Sequence, residues 1–397
     1  MYVNKISKIE YSFNIIVILL LILSTGTVLS QVLGSIIIGL SFLLILLLFT
    51  WKSMYSISVQ AFYSIVLSLF LMLSFVFITL DIEQNSHEYY YKIGFSILII
   101  TLYTLYLRIS KIDILYVIYL VLCFILIHSV LNLLFVHLYS DAFIYTIDKM
   151  DIKSLLYIFN YHSEQELFGF LIYRNQGIFW EPGILQIFIN ILLFLSIFIY
   201  KNKIISTISV IIIISTFSTT GMILMGLILL NTFNYRKMNF ITFIVYLFII
   251  FVMIYFIYLN IDDKIDTKFA SIALRSYDFL ISIEIIKDNI LTGIGYYPDF
   301  YEKIQLQYNP MIDEFNTNEA RGNTNSILMF ATYFGLVSFI FYVISLYNQN
   351  IFREKKVLFF TIIIISLMSE PLALMNFFLL LYIDGAINTL NKLIRVK

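Results

Sequence analysis

Apolar runs of about 15–25 residues recur along the chain, each closed by a short polar stretch, and about 20 apolar residues are what a helix needs to cross roughly 30 Å of hydrocarbon. The pattern places spans near residues 13–30, 32–50, 57–80, 93–107, 112–139, 183–200, 204–217, 219–233, 239–259, 326–347, 357–369 and 371–387. Only Glu370 and Pro371 part the last two, which read either as separate spans or as one broken, re-entrant element. Two segments interrupt the rhythm, 140–182 and 260–325. Long links in compact proteins tend to be functional or disordered, and neither of these is of low complexity. In "FLISIEII" (279–286), Phe279, Ile283 and Ile286 share a helical face. Both segments are therefore expected to be ordered, partly helical and packed on the bundle. The predicted fold class is an all-α polytopic membrane protein, one integral domain over residues 1–397. It has about 11–12 transmembrane helices and two long, partly helical outer loops.

Composition agrees with the pattern. The chain is 61% hydrophobic and 13% charged, against about 25% charged residues in soluble domains. A large soluble domain is excluded. The formal net charge is zero and points to no polyanionic partner such as nucleic acid. The lone Cys123 lies inside an apolar run and can form no intrachain disulfide. Lys5 and Lys8 precede an apolar stretch with no small-residue cleavage site after it, so the first span is expected to be retained.

Charge asymmetry sets the expected orientation. With a cytoplasmic N-terminus, the inner links hold 15 of the 25 basic residues beside only three acids, Glu10, Asp113 and Glu354. The positive-inside bias then favours N-in and C-in.

Candidate chemistry clusters on the other side. In "YRNQGIFWEPGILQIFINILLF" (173–194), Arg174, Gly177, Trp180 and Glu181 stand at the lip of a span. Pro182 suits a first helical turn, and Glu181 would sit at the positive end of the helix dipole. The cluster reads either as an interfacial belt with a capped helix or as an anion site in which Arg174 grips a phosphate and Glu181 orients it or handles a proton. In "RSYDFLISIEIIKDNILTGIGYYPDF" (275–300), Arg275 and Asp278 are i,i+3 neighbours ahead of a Gly-x-Gly turn. In "EARGNTNSILMFATYFGLVSF" (319–339), Glu319, Arg321, Thr324 and Asn325 lead into a span that contains Gly335. "STFSTTGMILMG" (215–226) reads as a structural hairpin whose hydroxyls satisfy freed backbone groups. Glu370 lies deep in an apolar run, where an ionisable group usually lines a cavity. His128 and Asn132, one turn apart, suggest an interhelical hydrogen bond. The histidines show no metal spacing, and there is no Walker loop, so neither a metal nor a nucleotide cofactor is expected.

The order of these motifs resembles the O-antigen polymerase (Wzy-type) and O-antigen ligase superfamily of bacterial surface-polysaccharide enzymes. The resemblance covers roughly residues 170–385: the Arg-x-x-Gly…Glu-Pro-Gly entrance, the Ser/Thr–Gly hairpin, the Arg-led helix running into Gly-x-Gly, and the Asn step into "YFGLVSF". It implies a multi-span transferase in the bacterial cytoplasmic membrane. Its donor would be an undecaprenyl-pyrophosphate-linked oligosaccharide, used outside the membrane without metal or nucleotide. It also implies that Arg174, Arg275 and Arg321 hold the pyrophosphate. Gly177, Trp180, Asn325 and Glu370 would support them, and a chain-length regulator is a candidate partner. Ligase-type relatives carry a His–Asn step where this chain has Thr324–Asn325. Threonine cannot act as that base, so Glu181, Asp278 or Glu319 would take the proton, and the balance tilts from ligase towards polymerase. A lipid-linked glycan flippase is the rival from another class. The sequence has no internal repeat and few intramembrane charges to support it, Glu370 and Asp384 being the candidates.

Overall fold

The computed structural model describes residues 8–53, 87–110, 112–147, 152–161, 164–167, 170–232, 255, 278–296, 301, 303–304 and 324–395. Its helices are α1 (Lys8–Leu23), α2 (Val28–Ser53), α3 (His87–Ile109), α4 (Ile114–Tyr139), α5 (Pro182–Phe194), α6 (Lys203–Ser215), α7 (Thr219–Leu230), α8 (Ser326–Asn348), α9 (Lys356–Ser369) and α10 (Asn376–Arg395). They follow the predicted spans closely. The predicted spans 57–80 and 239–259 lie outside the described residues, Tyr255 excepted. Among the described residues five helices are long and apolar enough to cross a membrane, and α6, α7 and α9 are shorter apolar helices. The chain is a multi-pass membrane protein.

Local chemistry sets where the helices begin. Asp113, Asn202, Ser218 and Asn325 each stand at an N-cap, and their side-chain oxygens accept from the backbone N–H of Tyr116, Ile205, Gly221 and Leu328. α9 and α10 are separate helices, divided by Glu370–Met375. The centre of the bundle is α5, buried along its whole length from Pro182 to Phe194 and ringed by α4, α6, α7 and α9. α8 packs on α9 and α10, with Gly385 of α10 directly against the Ser345 carbonyl.

The two ends of the bundle are distinct. At one end the α1–α2 turn, the lead into α5, the α6–α7 turn and the α9–α10 link come together; we call it the mouth. At the other end Arg108 forms an ion pair with Asp384 at 2.8 Å and also donates to Asn388.

The segment 140–182 departs from expectation. Apart from a single 3-10 turn at Ser140–Ala142, its regular elements before α5, among the described residues, are strands and not helices. β1 (Ile144–Ile147), β2 (Ile152–Leu155) and β3 (Phe159–Tyr161) form an antiparallel sheet in that order; β4 (Glu164–Leu167) and β5 (Phe170–Tyr173) form a separate hairpin. IKSL alternates in burial along β2, and FNY continues the pairing across a tight turn.

The β2–β3 hairpin runs alongside α4. Tyr161 clusters with Val136, and the Phe159 ring lies between Phe135 and His128, 4.8 Å from each. Between them, Asn132 pairs with the strand edge as another strand would. Its Oδ1 accepts from Asn160 N–H at 2.8 Å and its Nδ2 donates to Asn160 C=O at 3.2 Å.

Residues 278–296 also enter the bundle. The described helix 278–288 has Asp278 beside the N-terminus of α8, where its Oδ2 accepts from Thr324 N–H and Oγ1–H at 3.1 and 2.9 Å. It ends at the middle of α8. There Gly335 (φ 76°, ψ 169°) breaks the helix in a conformation open essentially to glycine alone. The carbonyls of Thr332 and Tyr333 then accept from Ile294 N–H (2.9 Å) and Gly295 N–H (3.0 Å), while Leu336 N–H donates to Ile290 C=O at 2.7 Å. The buried face of the 278–288 helix is Asp278, Ile281, Ser282 and Ile285. Phe279, expected to share a helical face with Ile283 and Ile286, is 45% exposed; in a membrane protein the outward face is apolar as well.

A candidate functional site at the mouth

The lead into α5 is held by neutral polar groups. Asn175 donates its backbone N–H to Ser215 C=O at 3.0 Å and its Nδ2–H to Ser129 C=O at 3.0 Å. Its Oδ1 accepts from Asn132 Nδ2 and from Gly177 N–H, both at 3.1 Å. Gly177 adopts φ +57°, and a Cβ there would meet Ser129 Oγ at 3.0 Å, so close approach and left-handed backbone both select glycine. Beyond it, Trp180 N–H donates to Gly26 C=O at 3.1 Å, and Phe179 bridges Thr27.

This frame fixes Arg174, whose Nε–H donates to Thr216 C=O at 3.1 Å. Thr216 lies in the α6–α7 turn that was expected to be structural. It is structural, with Thr216 Oγ1 donating to Ile213 C=O and accepting from Ser218 N–H. It also supplies the carbonyl that anchors the arginine.

Glu181 is the N-cap residue of α5, yet its carboxylate makes no capping hydrogen bond and the residue is exposed. The carboxylate against the start of α5 is instead that of Glu370. The residue is 5% exposed, and a Cβ on Gly183 would clash with its Oε1. The first-turn N–H groups of a helix lack intrahelical partners and carry positive partial charge. Glycine at 183 is what lets a carboxylate from α9 reach that turn. Glu370 is held from its own side too, as the C-cap of α9 with its N–H donating to Ser366 C=O.

A continuous chain of contacts ties these residues to one end of the bundle. Asp278 binds Thr324 at the lip of α8; Ser326 Oγ donates to Leu367 C=O in the last turn of α9; Glu370 touches Gly183; and Ser24 accepts from Asn376. The structure therefore gathers Arg174, Gly177, Trp180, Glu181, Asp278, Asn325 and Glu370 around the mouth. Asp278 was expected beside Arg275 on one helix face, and its described bonds run to Thr324. Arg275, Glu319 and Arg321 lie outside the described residues.

Sequence reasoning missed the asparagine frame. Asn132, Asn160 and Asn175 sit far apart in the chain, and no local pattern links them. His128 does not make the expected interhelical hydrogen bond. Among the described residues neither ring nitrogen meets a hydrogen-bond partner, and the ring stacks on Phe159 at an interplanar angle of 11°. A second polar stripe runs below Gly183 on α5, where Asn190 Nδ2 donates to Gln186 Oε1 and to Gly221 C=O. Among the described residues no group of three His, Cys, Asp or Glu side chains could hold a metal ion.

The arrangement offers one anchored guanidinium, the exposed carboxylate of Glu181, the buried carboxylates of Glu370 and Asp278, and the N-terminus of a central helix. Such a set can bind an anion and move a proton beside it. Comparison with protein-family models, curated proteins and solved structures returns no match to this chain. The functional reading rests on residues and geometry.

Proposed function

We propose that the protein is a metal-independent glycosyltransferase that polymerises oligosaccharide repeats carried on undecaprenyl pyrophosphate, with its mouth on the outer side of the bacterial cytoplasmic membrane. The observation that carries the reading is Arg174, fixed through Nε to the α6–α7 turn at the entrance to α5, with Glu181 and Glu370 beside the same helix start. A guanidinium keeps its charge and presents a planar fork that suits phosphate oxygens. Stabilising the charge that grows on a pyrophosphate leaving group is the term expected to dominate such a transfer. The end opposite the mouth carries Arg108, Lys201, Lys203, Arg353, Lys355 and Lys392, which fits a cytoplasmic location for that end.

In this mechanism Arg174, with Arg275 and Arg321 as further candidates, holds the diphosphate. The acceptor hydroxyl attacks the anomeric carbon of the donor, the carbon–oxygen bond to the pyrophosphate breaks, and a carboxylate takes the hydroxyl proton.

The test is Arg174→Ala in cells that make the polymer. Removing one donor to a developing anion lowers turnover by about 10²–10³-fold. The expected result is protein still inserted in the membrane, with single repeats accumulating on the lipid carrier outside. Full-length polymer from the variant would dismiss the pyrophosphate assignment. Repeats trapped on the cytoplasmic side would favour a flippase instead.

A further inference from the structure

The β2–β3 hairpin ends in a sequence unlike that of a soluble hairpin. Its turn residues, Leu156 and Tyr157, have φ of 57° and 59°, and Ile158 N–H closes the turn on Leu155 C=O at 3.2 Å. Turns with both central residues in this left-handed conformation usually use Asn-Gly or Asp-Gly, since other residues adopt that backbone less readily. Here the tip is apolar and uncovered: Leu156 is 73% exposed, Tyr157 39% and Ile158 39%. No charged residue lies between Ser154 and Asn160.

The level of the tip follows from its contacts. Tyr161 meets Val136, Asn160 meets Asn132, and Phe159 reaches His128. Each step down the strand meets an earlier turn of α4, so the hairpin descends from the mouth end towards the middle of that helix. At about 1.5 Å per residue, His128 is roughly 16 Å below the Tyr139 end. The tip, beyond Phe159, lies at that level or beyond it, and the lead into α5 meets α4 close to the same level, where Asn160 Nδ2 donates to Gly177 C=O and Asn175 Nδ2 to Ser129 C=O. At the same levels α4 turns an exposed stripe outward, formed by Phe124, Ile127, Leu131, Leu134 and Leu138. Residues at spacings of three and four along a spanning helix, apolar and uncovered, face lipid.

We propose that the β2–β3 hairpin is immersed in the hydrocarbon of the mouth-side leaflet, with Leu156, Tyr157 and Ile158 against lipid acyl chains. Two further features fit that occupant. The polar end of the hairpin is on the mouth side: Lys153 is paired in register with Tyr161, and its Nζ lies 5.4 Å from that ring's centroid. An aromatic ring and a long cation are the residues that settle at headgroups. The backbone is also prepared for a dry environment. β2 is paired on both sides, by β1 and β3, and Asn132 serves both backbone groups of Asn160 on the outer edge of β3. Backbone N–H and C=O groups left unpaired in hydrocarbon have no water to turn to and are strongly unfavourable. This inference is independent of the transferase reading and would hold for any activity at the mouth.

The experiment uses the full chain in liposomes, with Cys123→Ala as background and a nitroxide placed by Leu156→Cys, Lys153→Cys or Phe124→Cys. Collision with oxygen, which partitions into lipid, is compared with collision with a water-soluble nickel chelate. The expected result is an oxygen-dominated signal at Leu156, as at lipid-facing Phe124, and a chelate-dominated one at Lys153. Chelate access at Leu156 equal to that at Lys153 would put the tip in water and overturn the proposal. Protection from both reagents would show a protein cover and overturn it equally. Should the cysteine-free background fail to insert, Leu156→Trp in the natural chain serves instead. Lipids brominated on the acyl chain then quench the added tryptophan if the tip is immersed and leave it bright if it is not.

Discussion

Two segments enter the bundle from the mouth, and they solve one problem in different ways. Each brings non-helical backbone alongside a spanning helix, where every N–H and C=O needs a partner. The β2–β3 hairpin borrows a side chain: α4 stays an intact helix, and the amide of Asn132 stands in for a neighbouring strand. The 278–296 segment opens a helix: α8 breaks at Gly335, and its freed carbonyls and N–H pair with the turn that ends at Gly295. The first device places a whole edge on one residue. The second spreads three hydrogen bonds over two backbones and rests on the one residue type that permits the break.

The difference can be broken at each hinge point, and the larger effect is expected at the glycine. A Cβ on Gly335 would overlap the Leu291 carbonyl, and its backbone conformation is unfavourable for any other residue. Gly335→Ala should cost on the order of 3–4 kcal/mol, since strain and a backbone clash add. The check is the thermal midpoint in detergent, together with faster amide exchange at Ile294 and Gly295. Unchanged exchange there would show that the break in α8 does not depend on glycine.

Asn132→Leu comes next, at about 2–3 kcal/mol, the cost of leaving buried backbone groups unpaired. The same change strips a donor from Asn175 Oδ1. Loosening should therefore reach Arg174, and amide exchange should rise at both Asn160 and Asn175. If only Asn160 responds, the hairpin and the candidate site are mechanically separate. Asp278→Ala should cost less, about 1–2 kcal/mol, because Thr324 at the lip of α8 can turn to other partners. Its signature is exchange at Thr324 N–H with the Gly335 break unaffected.

The same pair of segments shows what the sequence could and could not convey. The spans were legible, because hydropathy over about 20 residues reports a requirement of the bilayer itself. Residues 278–288 were legible as helix, but their inward face was not, since Phe279 faces outward as readily as Ile281 faces in. The strands of 144–173, in a segment expected to be partly helical, were not foreseen, because their runs of three or four residues are too short for periodicity to decide. The mouth was legible as clusters of Arg, Glu and Gly at span entrances. The partner of α5 was not. That Gly183 admits Glu370 depends on two residues 187 positions apart, and no local pattern in one sequence carries such a pairing.

The smallest effect on stability, and the sharpest on mechanism, is expected at the two carboxylates around α5. Glu181 is exposed and makes no capping bond, so Glu181→Gln should change stability by no more than about 0.5 kcal/mol. Glu370 is buried against the first helical turn, where a negative charge typically contributes about 0.3–1 kcal/mol and more when partly buried; Glu370→Gln should therefore lower the melting midpoint measurably. If Glu181 takes the acceptor proton, its variant loses about 10²–10⁴-fold in transfer rate while melting like the natural protein. If Glu370 does so, its variant loses both rate and stability, and Glu181→Gln retains its rate. Rates measured with a lipid-linked donor, set beside melting curves of the same preparations, separate the two. Full activity in both variants would take proton transfer away from α5 and leave Asp278 or Glu319 to perform it.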